Sequence, residues 1–279
     1  VAIALIAARG TQEKTRSALA LWHLLSLDAP AVAAVWTMYV ARCFNVTLPW
    51  SATAALAIAV WMLYAADRLA DAARGTNLRQ RHHFHQLHRH AFLGGMVGAV
   101  PVLILLLVMM PPLLRMAWML QALPLAFYVA AVHAWQLPRV PKEHLVGIFF
   151  AVTCFMPALL SQWSPAAVAG LLLFGTLCWL NCAALARWEG SPSTTLDTGT
   201  AWAAQHLRMA CFFLSAIAAL TLLLWHRPWI VSAVVLGCFA LSLLDGMQRR
   251  MKPIHLRALA DAALLTPLLL WPVLHIASR

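Results

Sequence analysis

Residues 50–74 read WSATAALAIAVWMLYAADRLADAAR. Most of this stretch is an apolar run long enough to cross a hydrocarbon core, which takes about 20 helical residues. It opens on Trp50, and an amphipathic indole ring settles at a membrane–water boundary. It closes on Asp67, Arg68, Asp71 and Arg74. A helix places Asp67 and Asp71 one turn apart, with Arg74 about one turn further along the same face. The segment is therefore read as a membrane-crossing helix that delivers two carboxylates to one surface of the bilayer.

The same pattern of apolar runs extends in both directions. The chain has 279 residues, 63% of them hydrophobic and 10% charged, against about 25% charged in ordinary globular domains. Such a composition suits lipid as the solvent. Apolar segments lie at residues 18–43, 50–70, 92–110, 112–133, 144–162, 165–187, 203–224, 228–247 and 257–275. Pro111 and Pro112 divide the third from the fourth, because neither supplies a backbone donor, and Ser164–Pro165 divides the fifth from the sixth. Trp22, Trp163, Trp225, Trp229 and Trp271 sit near the ends of runs, as Trp50 does. The expectation is an all-α polytopic transmembrane bundle of about nine spans, forming a single integral membrane domain over residues 1–279. The apolar N-terminal residues precede Arg9, Lys14 and Arg16, which is the reverse of the order in a secretory signal.

The net charge is +11. With the N-terminus placed in the cytoplasm, every Lys and Arg except Arg42, Arg115, Arg227 and Arg279 falls on the cytoplasmic side. This is the positive-inside bias. The basic residues are spread over short loops between apolar runs, which fits anionic headgroups and topology and argues against nucleic acid as a partner. The expected location is a bacterial inner (cytoplasmic) membrane, with the N-terminus and active site facing the cytoplasm.

The six Cys form no CxxC pair and mostly lie inside apolar runs, where a thiol behaves as a small hydrophobe. The run from Arg81 to His90 carries His82, His83, His85, His88 and His90. Arg81 and Arg89 would repel a cation there, so the run reads as an amphipathic segment facing headgroups. Gly94 and Gly98 are spaced for close helix packing. There is no nucleophile elbow, HExxH or phosphate-binding glycine loop.

Only nine residues are acidic, and ionisable groups in or beside a span are functional candidates by default. Asp67 and Asp71 can hold Mg²⁺ through one oxygen each, leaving other positions for water and phosphate. Arg74 is placed to take a phosphate oxygen. The alternative is a plain helix end in which the two carboxylates pair with Arg68 and Arg74. Asn181 and Glu189 lie two turns apart at the same side of the sixth run. They serve either that same mouth or, for Asn181, a helix–helix hydrogen bond. Asp28 is expected to pair with a neighbour, and Asp261 with Arg257 four residues before it. Arg139 and Lys142 form a basic cytoplasmic loop that either attracts a diphosphate or only fixes topology.

Nine spans, a cytoplasmic N-terminus and acidic motifs ending the second and sixth spans resemble the UbiA-type membrane prenyltransferases. Asp67 and Asp71 match the paired aspartates of that family's first motif, and Arg74 the arginine after it. Leu63 stands where the family has Asn, and the second motif reads Asn181, Leu185, Glu189 in place of paired aspartates. The resemblance implies a Mg²⁺-dependent transfer of an isoprenoid chain from a prenyl diphosphate to a hydrophobic acceptor, aromatic or lipid. It implies Asp67, Asp71, Asn181 and Glu189 as catalytic residues, Asp67, Asp71 and Glu189 as metal ligands, and Arg74, Arg139 and Lys142 around the diphosphate. Two other readings stay open: a non-catalytic lipid- or partner-binding scaffold, and a transporter in which Asp28, Asp261 and Asn181 line a path.

Overall fold

The computed structural model describes residues 17–74, 80–135, 141–190, 196–225 and 228–277, with side chains at 74, 80, 129–135 and 275–277 outside the description. Every regular element among them is helical. In chain order they are α1 (Ala18–Leu24), α2 (Asp28–Cys43), α3 (Trp50–Arg74), α4 (Gln80–Leu87), α5 (Arg89–Val108), α6 (Pro112–Trp135) and α7 (Lys142–Ser161). Next come α8 (Pro165–Trp188), α9 (Thr198–Gln205), α10 (Leu207–Trp225), α11 (Pro228–Met247), α12 (Pro253–Ala262) and α13 (Pro267–Ala277). Among the described residues seven helical stretches are long and apolar enough to cross a membrane, and eight if α1 and α2 count as one. The chain is an all-helical integral membrane protein.

The first predicted span is not continuous. α1 and α2 meet at 90°, and the turn passes through Ser26 at φ 58°, a left-handed conformation uncommon for a residue with a Cβ. A helix end leaves carbonyls short of partners, and here distant side chains add to the Ser26 amide that already donates to His23 O. Arg68 Nη1 donates to His23 O at 2.6 Å, and Trp61 Nε1 donates to Leu25 O at 3.1 Å. The last predicted span also breaks, at a 3₁₀ turn Ala263–Leu265 between α12 and α13. Trp36 Nε1 donates to Leu264 O at 2.6 Å and Thr266 Oγ1 to Ala233 O at 2.8 Å, so this break is also stitched to the bundle.

α8 forms the centre, with Phe174, Leu177, Ala183 and Ala184 fully buried. Phe174 stacks on Trp36 of α2 with ring centroids 3.8 Å apart. α7 approaches α8 closely because both faces are small: a Cβ on Gly147 would lie 2.8 Å from Gly175 O. Small residues let backbones approach in this way where no hydrophobic force separates protein from lipid. The Gly94–Gly98 pair does not act so, since nothing lies within 4 Å of a Cβ at either position. α5 instead presents Val97, Ile104, Leu105 and Val108 outward, an apolar surface that lipid solvates.

Candidate functional site

The end of α3 splits its charges between two directions. Asp67 is exposed and the Asp71 side chain is 40% exposed, whereas Arg68 is buried. Arg68 turns inward to the α1–α2 bend. Besides the His23 carbonyl, it donates to Ser26 Oγ at 3.0 Å and to Asp28 Oδ2 at 3.2 Å. The plain helix-end alternative, in which Asp67 and Asp71 pair with Arg68 and Arg74, thus has its Arg68 drawn to Asp28. The side chain of Arg74, and Arg139 entirely, lie outside the described residues. Lys142 is exposed, 3.9 Å from Glu143.

α4 follows α3 in sequence and packs back against it. His82 Nε2 lies 3.9 Å from Asp71 Oδ2, while Arg81 Nη1 donates to Glu189 Oε1 at 3.1 Å. Two consecutive residues therefore bridge the carboxylate motif of α3 to the C-cap residue of α8. Arg257 Nη1 of α12 also donates to Glu189 Oε1, at 2.5 Å. The expected Arg257–Asp261 pair gives way to this contact, and Asp261 turns instead to Asn181, whose Nδ2 donates to Asp261 Oδ1 at 3.0 Å.

The histidine run does more than face headgroups. One side of α4 is buried, with Phe84 and His85 inside and the His85 ring stacked on Phe92 at 4.1 Å. His85 Nδ1 lies 2.9 Å from Arg81 O. A carbonyl only accepts, so Nδ1 carries the proton and Nε2 accepts from the Ser26 hydroxyl at 3.1 Å. Burial is the main force holding this imidazole neutral, with a pKa pushed down to about 3, and the nearby Arg68 charge adds to it.

A deeper cluster joins Asp28, Asp261 and Asn181, the residues of the transporter alternative, to His23, whose part in it is new. His23 Nδ1 hydrogen-bonds to Asp28 Oδ2 and lies 3.7 Å from Asp261 Oδ2. With Arg68, Ser26, Asn181 and Glu189, it makes a connected polar interior drawn from α1, α2, α3, α4, α8 and α12. The sequence signal was present but local: His23 and Asp28 flank Ser26 in a run otherwise apolar enough to span.

Two further polar groups lie apart. Asp245 of α11 accepts from Trp188 Nε1 and Arg208 Nε, both at 3.1 Å, and forms an ion pair with Arg187 Nε at 3.1 Å. It lines a cavity of about 510 Å³ together with His206 and Arg249. Asp197 caps α9, accepting from the Gly199 and Thr200 amides at 3.0 and 3.1 Å. Burial opposes its ionisation, yet these hydrogen bonds and the His144 ring outweigh it and hold the carboxyl below its ordinary value.

The donors fit Mg²⁺ unevenly. Asp67 and Asp71 stand at the accessible rim, which suits an ion that keeps several waters and binds through one or two carboxylates. Glu189 Oε1 is already engaged by two guanidinium groups, which suits it to holding those arginines in place. Comparisons with protein-family models, with curated proteins and with solved structures give no match. What the fold and this site define is a class: a helical integral membrane protein with a buried charged cluster next to a paired-aspartate helix end.

Proposed function

We propose that the protein is a Mg²⁺-dependent intramembrane prenyltransferase of UbiA-like architecture with nine spans, the bent α1–α2 pair and α6 completing the count. Its N-terminus and site face the cytoplasm of a bacterial inner membrane. The observation that supports this reading is the bridge Asp71–His82 and Arg81–Glu189, which links the Asp67–Asp71 helix end to Glu189. Asp67 and Asp71 are the residues that would hold the metal. Bound there, Mg²⁺ neutralises charge that grows on the leaving diphosphate oxygen.

The protein's own groups do the rest. Arg81 and Arg257, fixed by Glu189, present preorganised positive charge to the diphosphate, and Lys142, Arg74 and Arg139 are the basic residues that the family resemblance adds to them. Charge placed in advance stabilises the transition state without reorganisation. The carbon–oxygen bond of the prenyl C1 breaks with its electron pair going to the diphosphate. An aromatic or lipid acceptor forms the new bond to C1 and releases its proton to water. Asn181 holds Asp261, keeping the wall of the site in register.

The test is thermal unfolding with an unreactive prenyl thiodiphosphate, with and without Mg²⁺. A ligand that binds only the folded state raises its apparent stability. The expected result is an upward shift that needs Mg²⁺ and disappears in Asp67→Asn/Asp71→Asn. No shift at any chain length, in folded protein, refutes the reading.

A further inference from the structure

Three segments distant in sequence bring donor atoms to one buried point. His23 lies in α1, Asp28 opens α2 and Asp261 lies in α12. The His23 ring nitrogen and one oxygen from each carboxylate all lie within 4.8 Å of one another. The His23 and Asp28 side chains are 1% exposed and that of Asp261 18%. Both carboxylates are held from outside the cluster. The Ala29 amide and Arg68 donate to Asp28, and Asn181 Nδ2 donates to Asp261. The amide oxygen of Asn181 is buried without a hydrogen-bond partner, on a side chain 5% exposed. Burying such an acceptor costs desolvation unless an electropositive partner arrives.

We propose that His23, Asp28 and Asp261 bind a divalent transition-metal ion, with the Asn181 amide oxygen as a fourth donor. This site is separate from the Asp67–Asp71 mouth and does not depend on the prenyl-transfer reading. The imidazole sets the class of ion, because nitrogen donors favour first-row transition metals whereas Mg²⁺ prefers oxygen. Metal–donor bonds of about 2.0–2.2 Å place neighbouring donors of a tetrahedral site about 3.3–3.6 Å apart, so side-chain shifts of about an ångström close the set. The ion replaces the proton between His23 Nδ1 and Asp28, and that proton leaves to solvent. Arg68 shares Asp28 and weakens it as a donor, which sets the affinity below that of a closed four-ligand zinc site. The ion ties α1 and α12 to the start of α2 and so fixes the bend at Ser26.

The experiment uses protein purified in detergent, stripped with EDTA and titrated with Co²⁺. Visible d–d absorption and elemental analysis give coordination and stoichiometry. The expected result is about one Co²⁺ per chain, displaced by Zn²⁺. Uptake is lost in His23→Gln and in Asp261→Asn but kept in Asp67→Asn/Asp71→Asn. The proposal is overturned if folded, monodisperse wild-type protein takes up no Co²⁺. It is equally overturned if uptake survives both His23→Gln and Asp261→Asn, or if uptake disappears in Asp67→Asn/Asp71→Asn.

Discussion

Replacing Arg68 by Met removes a buried guanidinium while keeping most of the side-chain volume. Three contacts go with it: 2.6 Å to His23 O, 3.0 Å to Ser26 Oγ and 3.2 Å to Asp28 Oδ2. Hydrogen bonds to a charged group contribute roughly 1.5–3 kcal/mol each, but their simple sum overstates the loss, because burying the guanidinium costs desolvation that Met avoids. The larger effect is on Asp28, left with buried charge and no guanidinium. Breaking such a pair on one side costs about 3–5 kcal/mol. Chains of this size shift by about 2–4 °C per kcal/mol, so the melting temperature in detergent should fall by roughly 6–20 °C. Tryptophan fluorescence reads the transition, and Trp61 and Trp22 report on the α1–α2 bend itself. Asp28→Asn should also destabilise, and Arg68→Met/Asp28→Asn should be less unstable than the two single losses added, because neither charge is then stranded. A melting temperature for Arg68→Met within about 2 °C of wild type, or strict additivity in the double variant, would refute the assignment of Arg68 as the brace of the bend.

The acid sensitivity of the fold should run through His85. Folded protein keeps this ring neutral to about pH 3, whereas an unfolded chain protonates it near the ordinary value of about 6.5. The unfolded state therefore binds more protons between those values, and stability present above pH 6.5 is lost as the pH falls. At pH 5 the loss is about 2 kcal/mol, and His85→Gln should flatten that part of a melting-temperature-against-pH curve. Gly147→Ala should cost about 1–3 kcal/mol by overpacking, since its Cβ meets Gly175 O at 2.8 Å. Gly94→Ala should instead be neutral or slightly stabilising, and equal melting temperatures for the two would contradict the packing described. In a radiolabelled prenyl-transfer assay, Asp67→Asn should lower turnover by roughly 100-fold or more. Wild-type turnover in that variant would remove Asp67 from the site.

Much of this protein was legible because hydropathy is a local property. A helix satisfies its own backbone, so any apolar run of sufficient length reports its relation to lipid without knowledge of its neighbours. Residues 50–70, 165–187 and 228–247 were readable on that basis and fold within α3, α8 and α11. The exposed position of Asp67 at the end of α3 agreed with the spacing for the same reason. Hydropathy did not show the bend at Ser26 or the 3₁₀ turn at Ala263–Leu265, because a run stays apolar through such a break. What makes each break tolerable is a donor from elsewhere in the chain: Arg68 and Trp61 at the first, Trp36 at the second.

The partners of the charges were decided by tertiary structure alone. In sequence, Arg68 stands beside Asp67 and Arg257 stands one turn before Asp261, and local spacing pairs them so. In the bundle, Arg68 goes to Asp28 and Arg257 to Glu189, while Asp261 meets Asn181 and His23. A buried charge is costly wherever it is placed, and the interior relieves that cost through whichever opposite group the packing of distant helices brings within reach. The sequence alone determined that the chain lives in a membrane and carries paired aspartates at a helix end. Which charges share an interior was set only when six helices closed around it.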